Sequence, residues 1–165
     1  MITVRYAELA DVPAITDIYN EYVLYSTATF DVEPKSIEDR TKWFHAHPRD
    51  SRYRLLCAVD DRQQVAGFTA TNPFRPKEAY QTSVETTVYV APNQRNKGIG
   101  KLLYGALFEA VAQEDLHRAY ACIALPNPSS MALHHSFGFS PAGLFHEAGR
   151  KFGRYISIQW MEKTL

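Results

Sequence analysis

Between Val84 and Lys101 the chain reads VETTVYVAPNQRNKGIGK, and two kinds of chemistry are legible in it. At the far end Arg95, Asn96 and Lys97 crowd donors and positive charge ahead of Gly98 and Gly100. Backbone N–H groups at the opening of a helix form a cradle for phosphate, and basic side chains beside them suit a pyrophosphate better than a lone carboxylate. At the near end Glu85 stands among Val84, Val88 and Val90. A carboxylate partly desolvated by such neighbours has its pKa raised toward the range of a general base; the alternative is a solvated or ion-paired strand carboxylate. Arg75, in the run NPFRP, carries a guanidinium that can take an anionic group in bidentate fashion, or else lies free on an exposed loop. Phe30, Phe74 and Tyr80 either line a binding site beside these groups or are ordinary core and loop aromatics.

The elements that must position these groups follow from periodicity. Thr82 to Val90 alternates and reads as a strand, and from Gly98 to about Gln113 the apolar positions take helical spacing. Upstream, Ile2 to Tyr6 reads as a strand, and Asp11 with Pro13 opens a helix. Ser36 starts a second helix that stops near Pro48. Arg54 to Val59 and Val65 to Thr71 form a hairpin, broken by Asn72-Pro73. Downstream come a strand over His117 to Leu125, a helix over Ser129 to Phe137 closed by Gly138, and an antiparallel pair over Pro141 to Ala148 and Arg154 to Met161. Lys151 and Arg154, near that last hairpin, are read as facing solvent or a partner subunit. There is no repeat, low-complexity tract or linker, so one mixed α/β domain is expected over 1–165.

The composition excludes several classes. Eighteen basic against eighteen acidic residues give formal neutrality, so nothing global points to nucleic acid or an anionic membrane. No apolar run approaches the ~20 residues of a membrane span, and the opening MITVRYAELAD has no apolar leader core, so a cytoplasmic protein is expected. The two cysteines, Cys57 and Cys122, lie in apolar runs and read as buried, reduced thiols. No Cys/His cluster suggests a metal, and His45, His47, His117 and His146 lack ligand spacing.

The glycine stretch is neither GxxxxGK[ST] nor GxGxxG, which sets aside a Walker loop and a dinucleotide fold. Arg95-Asn96-Lys97-Gly98-Ile99-Gly100 resembles the [RQ]xxGx[GA] acetyl-CoA signature of the GNAT N-acetyltransferases. Asn127 after the next strand, and Leu133-His134-His135-Ser136-Phe137-Gly138-Phe139, resemble further landmarks of that family. IYNEYVLYSTATF, NPFRP, VETTVYV and KFGRYISIQWM resemble its phosphinothricin and methionine-sulfoximine acetyltransferase branch.

The resemblance implies a mostly antiparallel, twisted sheet with one splayed strand pair, flanked by helices, and acetyl-CoA as cosubstrate with no metal. It places the pantetheine arm on the backbone of Val88, Tyr89 and Val90 and on Asn127. The pyrophosphate falls on Arg95, Asn96, Lys97, Gly98, Ile99, Gly100 and Lys101, with Ser136 on the same side. It makes Glu85 the base or the holder of an acceptor ammonium, with Thr86 and Thr87 beside it, and His134 the group that returns a proton to the thiolate. It further implies a homodimer and, as acceptor, the α-amine of a small amino acid or analogue. A protein or peptide acceptor, and a non-catalytic acyl-CoA-binding module, stay open as alternatives.

Overall fold

A computed structural model describes residues 1–165 as one sheet of seven strands in the order β1-β2-β3-β4-β5-β7-β6. The strands are β1 Thr3–Tyr6, β2 Leu55–Val59, β3 Val65–Pro73, β4 Ser83–Val90, β5 Arg118–Ala124, β6 Ser140–Lys151 and β7 Arg154–Thr164. The helices are α1 Val12–Tyr25, α2 Ile37–His45, α3 Ile99–Ala110 and α4 Pro128–Ser136. Each strand pairs antiparallel with its neighbours except β4 with β5, which run parallel.

Side-chain alternation gives the sheet two apolar faces. On one, Leu56, Val84, Ala119, Ala121, Ile123 and Met161 pack against Tyr104 and Leu107 of α3, with Met131 and Leu133 of α4 at the margin. On the other, Leu55, Cys57, Val59, Phe68 and Ala70 pack against Ile15 and Ile18 of α1, with Trp43 and Phe44 of α2. Since β2 is covered on both faces, all of its residues are buried, and its sequence LLCAV is a continuous apolar run rather than an alternating one.

The feature that makes a site is the parting of β4 from β5. Their ladder holds only Ser83–Arg118, Val84–Ala119 and Glu85–Tyr120. Beyond Glu85, β4 stays with β3 as far as Val90–Gly67, while β5 stays with β7 as far as Ala124–Ile158. The two halves of the sheet thus diverge from Glu85 onward, as the expected splay requires.

Local departures from the sequence reading have physical reasons. β3 does not break at Asn72, because Asn72–Glu85 and Pro73–Val84 continue its pairing at the end of the strand, where a proline's missing donor is tolerated. Ser36 caps α2 as expected, accepting the Asp39 N–H at 3.0 Å. Asp11 does not cap α1: its carboxylate turns back to take Arg5 at 2.7 and 2.9 Å and the Glu8 N–H. β6 extends to Lys151, beyond the expected Ala148, through a register shift between Phe145 and Gly149.

Candidate active site

Where β4 and β5 part, a cleft of about 960 Å³ opens. It is walled by Glu85 to Val90 on β4, Ala121 to Ala124 on β5, the start of α3, the inner side of α4 and the loop Ser26 to Phe30. Lying between strands rather than on one face, it communicates with both sides of the sheet. Thr86 belongs to the α3 side, with its hydroxyl 3.1 Å from that of Tyr104, whereas Tyr89 faces the α1 side among Phe68, Tyr19 and Tyr22. By the two-residue period Glu85 and Thr87 share the face of Tyr89, and Val88 and Val90 that of Thr86.

The backbone along β4 is partitioned in the same way. The Ala91 N–H donates to Ala66 at 2.8 Å, so odd-numbered residues here, Tyr89 included, turn their peptide groups to β3. Those of Val88 and Val90 turn into the gap, and the Val90 carbonyl accepts the Tyr22 hydroxyl at 2.6 Å. An extended ligand carrying amides can therefore pair with Val88 and Val90 as an added strand.

At the end of β4 the chain enters α3 through two left-handed residues, Asn96 at φ 62° and Gly98 at φ 76°. Gly98 is the N-cap, and its carbonyl already accepts the N–H groups of Lys101 and Leu102, which leaves the first amides of α3 facing the cleft for an anion. Gly100 lies on the cleft wall, and a Cβ there would come within 3.2 Å of Leu133 Cδ2, so its smallness also lets α3 and α4 approach. Arg95 lies over the Tyr22 ring at 4.9 Å. Lys97 turns aside to Gln94 at 3.0 Å and is not part of the wall, while Ile99 and Lys101 are. Asn127 caps α4, accepting the Ser130 N–H at 3.2 Å, and Ser136 at the other end of that helix donates to the Leu133 carbonyl; both border the cleft. An open strand edge leading to a free helix N-terminus fits the pantetheine and pyrophosphate of a coenzyme A thioester.

His134 is buried, 3% exposed, and its two ring nitrogens are distinguishable. Nδ1 lies 2.7 Å from the Ser130 carbonyl, which can only accept, so Nδ1 carries the hydrogen. Nε2 is then an acceptor in the neutral ring, and it receives the Tyr104 hydroxyl at 2.8 Å. Burial lowers the His134 pKa against the opposing bond to Ser130, and burial raises that of Tyr104. The exchangeable proton of the pair thus sits on Tyr104 at neutral pH. Sequence reasoning passed over Tyr104, which reads as one more apolar position on α3; a tyrosine on a wholly buried helix face, needing a partner for its hydroxyl, was the available signal.

Glu85 is half-buried at the other end of the cleft, and burial raises its pKa while the Arg75 charge opposes the shift. Cys122 lies on the opposite wall, half-buried rather than buried as the sequence suggested, and its thiol is pushed up to about 11, first by burial and then by the Glu85 charge. Beyond Glu85, Phe74 stacks on Tyr120 at 4.3 Å, with Tyr80 and Trp160 edge-on. Arg75 is exposed over Phe74 and Trp160, with centroid distances of 4.5 and 5.5 Å. Phe74, Arg75 and Tyr80 thus form an aromatic and cationic shelf outside the cleft, whereas Phe30 and Thr87 are part of its wall. Lys151, expected at the surface, is 4% exposed, because the hairpin tip folds onto the loop after α1 and donates its ammonium to Thr29.

The model of the acetyltransferase (GNAT) domain family matches residues 4–160. The chain belongs to the GNAT acetyltransferases. Phosphinothricin N-acetyltransferase of Streptomyces coelicolor is 50% identical over 99% of this chain and 96% of its own length. The L-methionine sulfoximine/L-methionine sulfone acetyltransferase of Pseudomonas paraeruginosa is 36% identical over 99% and 94%. A GNAT phosphinothricin acetyltransferase from Sinorhizobium meliloti, solved in complex with acetyl-CoA, superposes with a TM-score of 0.94 at 34% identity, covering 99% of this chain and 88% of that one. The parting of the central strands and the glycine turn are therefore features of a GNAT enzyme and not accidents of packing. No helix is long and apolar enough to cross a membrane.

Proposed function

We propose that this GNAT enzyme transfers the acetyl group of acetyl-CoA to the α-amine of a small amino acid or amino-acid analogue of the phosphinothricin, methionine sulfoximine or methionine sulfone type. The observation that carries the reading is the opening of the β4–β5 gap directly after Glu85. One continuous slot then leads from the α3 N-terminus to a partly desolvated carboxylate. The relatives named above act, by their names, on amino acids of this kind.

Bound acetyl-CoA supplies a thioester carbonyl; the protein supplies its position and two proton sites. Val88, Val90 and Asn127 hold the pantetheine arm, and the turn from Arg95 to Lys101 holds the pyrophosphate. Glu85, whose raised pKa brings it nearer to that of an amine, takes a proton from the acceptor ammonium directly or through water. We place the Tyr104 hydroxyl on the sulfur side: it turns its proton from His134 Nε2 to the thiolate, and the proton that Glu85 took from the ammonium restores it through solvent. Arg75 and the aromatic shelf of Phe74 and Tyr80 meet the anionic group of the acceptor, and Phe30 and Thr87 bound its side chain, while Thr86, on the opposite face of β4 against Tyr104, supports the sulfur side. A compact zwitterion suits this pairing of Glu and Arg better than a peptide groove does. We further infer a homodimer, and a reducing compartment such as the cytoplasm, in keeping with the free thiols of Cys57 and Cys122.

The test is thiol release from acetyl-CoA with phosphinothricin, methionine sulfoximine, methionine sulfone and a peptide offered as acceptors. Saturable turnover on the amino-acid analogues, with little on the peptide, is expected. Turnover on the peptide alone would move the acceptor class, and binding of acetyl-CoA without turnover on any amine would leave only a binding module.

A further inference from the structure

The loop Ser26 to Phe30 is part of the wall of the cleft, yet it belongs to no helix or strand. Its shape is set from a distant part of the chain. At the tip of the β6–β7 hairpin the Lys151 ammonium, nearly fully buried, donates to the Thr29 carbonyl at 2.9 Å and the Tyr22 carbonyl at 3.4 Å. Both acceptors are neutral, and one is a last-turn carbonyl of α1, where the helix dipole favours a cation. Two residues earlier, Gly149 lies under the Phe30 ring. A Cβ built there would stand 2.2, 2.7 and 2.8 Å from three of the ring carbons, so any side chain forces the ring to move. From the other side, Tyr19 of α1 bonds the Thr29 hydroxyl at 2.8 Å and Asp31 at 2.5 Å, so the loop is gripped on both flanks.

We propose that Gly149 and Lys151 are positioning residues that set acceptor specificity: the hairpin tip fixes the loop after α1, and Gly149 seats Phe30 as the wall against which the acceptor side chain packs. This rests on the reading of the cleft as an amine-acetylation site. Gly149 is then required for its absence of a side chain, since its backbone is not in the left-handed region. Lys151 is required for its length and its ammonium donors, which reach the Thr29 carbonyl at 2.9 Å and the Tyr22 carbonyl that also accepts the Ser26 N–H. Neither side chain lines the cleft, so both act through Phe30 and its loop.

The experiment compares Gly149→Ala, Phe30→Ala, the double variant and Lys151→Met. For Gly149→Ala the KM for methionine sulfone should rise about tenfold or more, while acetyl-CoA affinity stays within about twofold, because a displacement near 1 Å at a substrate wall is costly. The double variant should match Phe30→Ala alone, since removing the ring removes the clash; additive effects, or an unchanged KM, would overturn the role of Gly149. In Lys151→Met the backbone amides of Thr27 to Asp31 should exchange hydrogen faster, and unchanged protection would overturn the clamp. Exchange needs no turnover. If the wild-type enzyme acetylates no amine, the functional reading fails and the exchange result still decides the clamp.

Discussion

At the scale of single residues the site depends on how burial and the Arg75 charge compete at the Glu85 carboxylate. Burial raises the Glu85 pKa from its ordinary value, and the Arg75 charge opposes the rise. A base must be ionised to act, so the acid limb of kcat/KM should lie above 4.5, the unperturbed value for this Glu. Arg75→Ala removes the lowering influence, and the acid limb should move further up in pH; a shift downward, or none, would remove Arg75 from the electrostatics of the site. Glu85→Gln should abolish this limb and cut kcat by about a hundredfold or more, the usual weight of a general base, with acetyl-CoA binding nearly intact. The same variant carries a stability signature. A carboxyl whose folded pKa is raised binds its proton more tightly in the folded state, so ionised Glu85 costs stability once the pH exceeds its unfolded pKa. Glu85→Gln should therefore be the more thermostable protein at pH 7, with the advantage fading as the pH falls toward 4.5. His134 has the opposite dependence: its lowered pKa makes the folded state favour the neutral ring, and that contribution is lost as the pH falls below about 6.5.

At the scale of elements, what was legible in the sequence was what local chemistry dictates. The alternation of β4, the switch to helical spacing after Gly98 and the Ser36 cap are local signals, and the structure repeats them. Their consequence for the site was legible as well, because a strand that feeds a glycine turn and a helix leaves its amides at the junction. Lys151 and Tyr104 were not legible. Burial of a lysine comes from a contact between hairpin tip and loop that is 122 residues apart in sequence. The Tyr104–His134 bond likewise joins two helices separated in the chain, and periodicity reports which face is buried but not which hydroxyl meets which ring. The Gly98 turn offers a sharp test of the local argument. A Cβ at Gly98 would meet nothing within 4 Å, so only the left-handed φ of 76° demands glycine. Gly98→Ala should cost about 1–2 kcal/mol of stability, the strain of an L-residue in that conformation, and weaken acetyl-CoA binding by misaligning the first amides of α3. Gly98→Asn should cost less than alanine, since asparagine visits this region more readily and Asn96 already does so nearby. Equal losses for the two variants, by thermal melts and acetyl-CoA titration, would show that packing rather than backbone conformation governs the turn.

At the scale of the whole molecule the sheet has an edge that the chain itself leaves open. β6 is the outermost strand, and along its length nearly every residue before Lys151 is exposed. Leu144 and Phe145 on it, and Phe152 and Tyr155 at the hairpin beside it, stand 45, 54, 55 and 64% exposed. An unpaired edge strand with large apolar side chains invites association, and monomers usually blunt such an edge with charge, proline or a covering segment. Here Pro141, His146, Glu147 and Arg150 are interspersed but the apolar groups remain, and with equal numbers of acidic and basic residues there is no net charge to hold copies apart. A twofold pairing that uses this surface on both subunits would cover it in a closed assembly. Light scattering coupled to size exclusion should therefore give twice the 18.8 kDa chain mass. Replacing Leu144 and Phe145 together by lysine and glutamate should shift the protein toward monomer and make its thermal midpoint insensitive to concentration, whereas that of the wild type should rise with concentration. A wild-type monomer at micromolar concentration would refute the dimer. A dimer indifferent to the double substitution would move its interface off β6, toward the exposed Leu24 and Tyr25 at the end of α1 and Val32 in the loop after it.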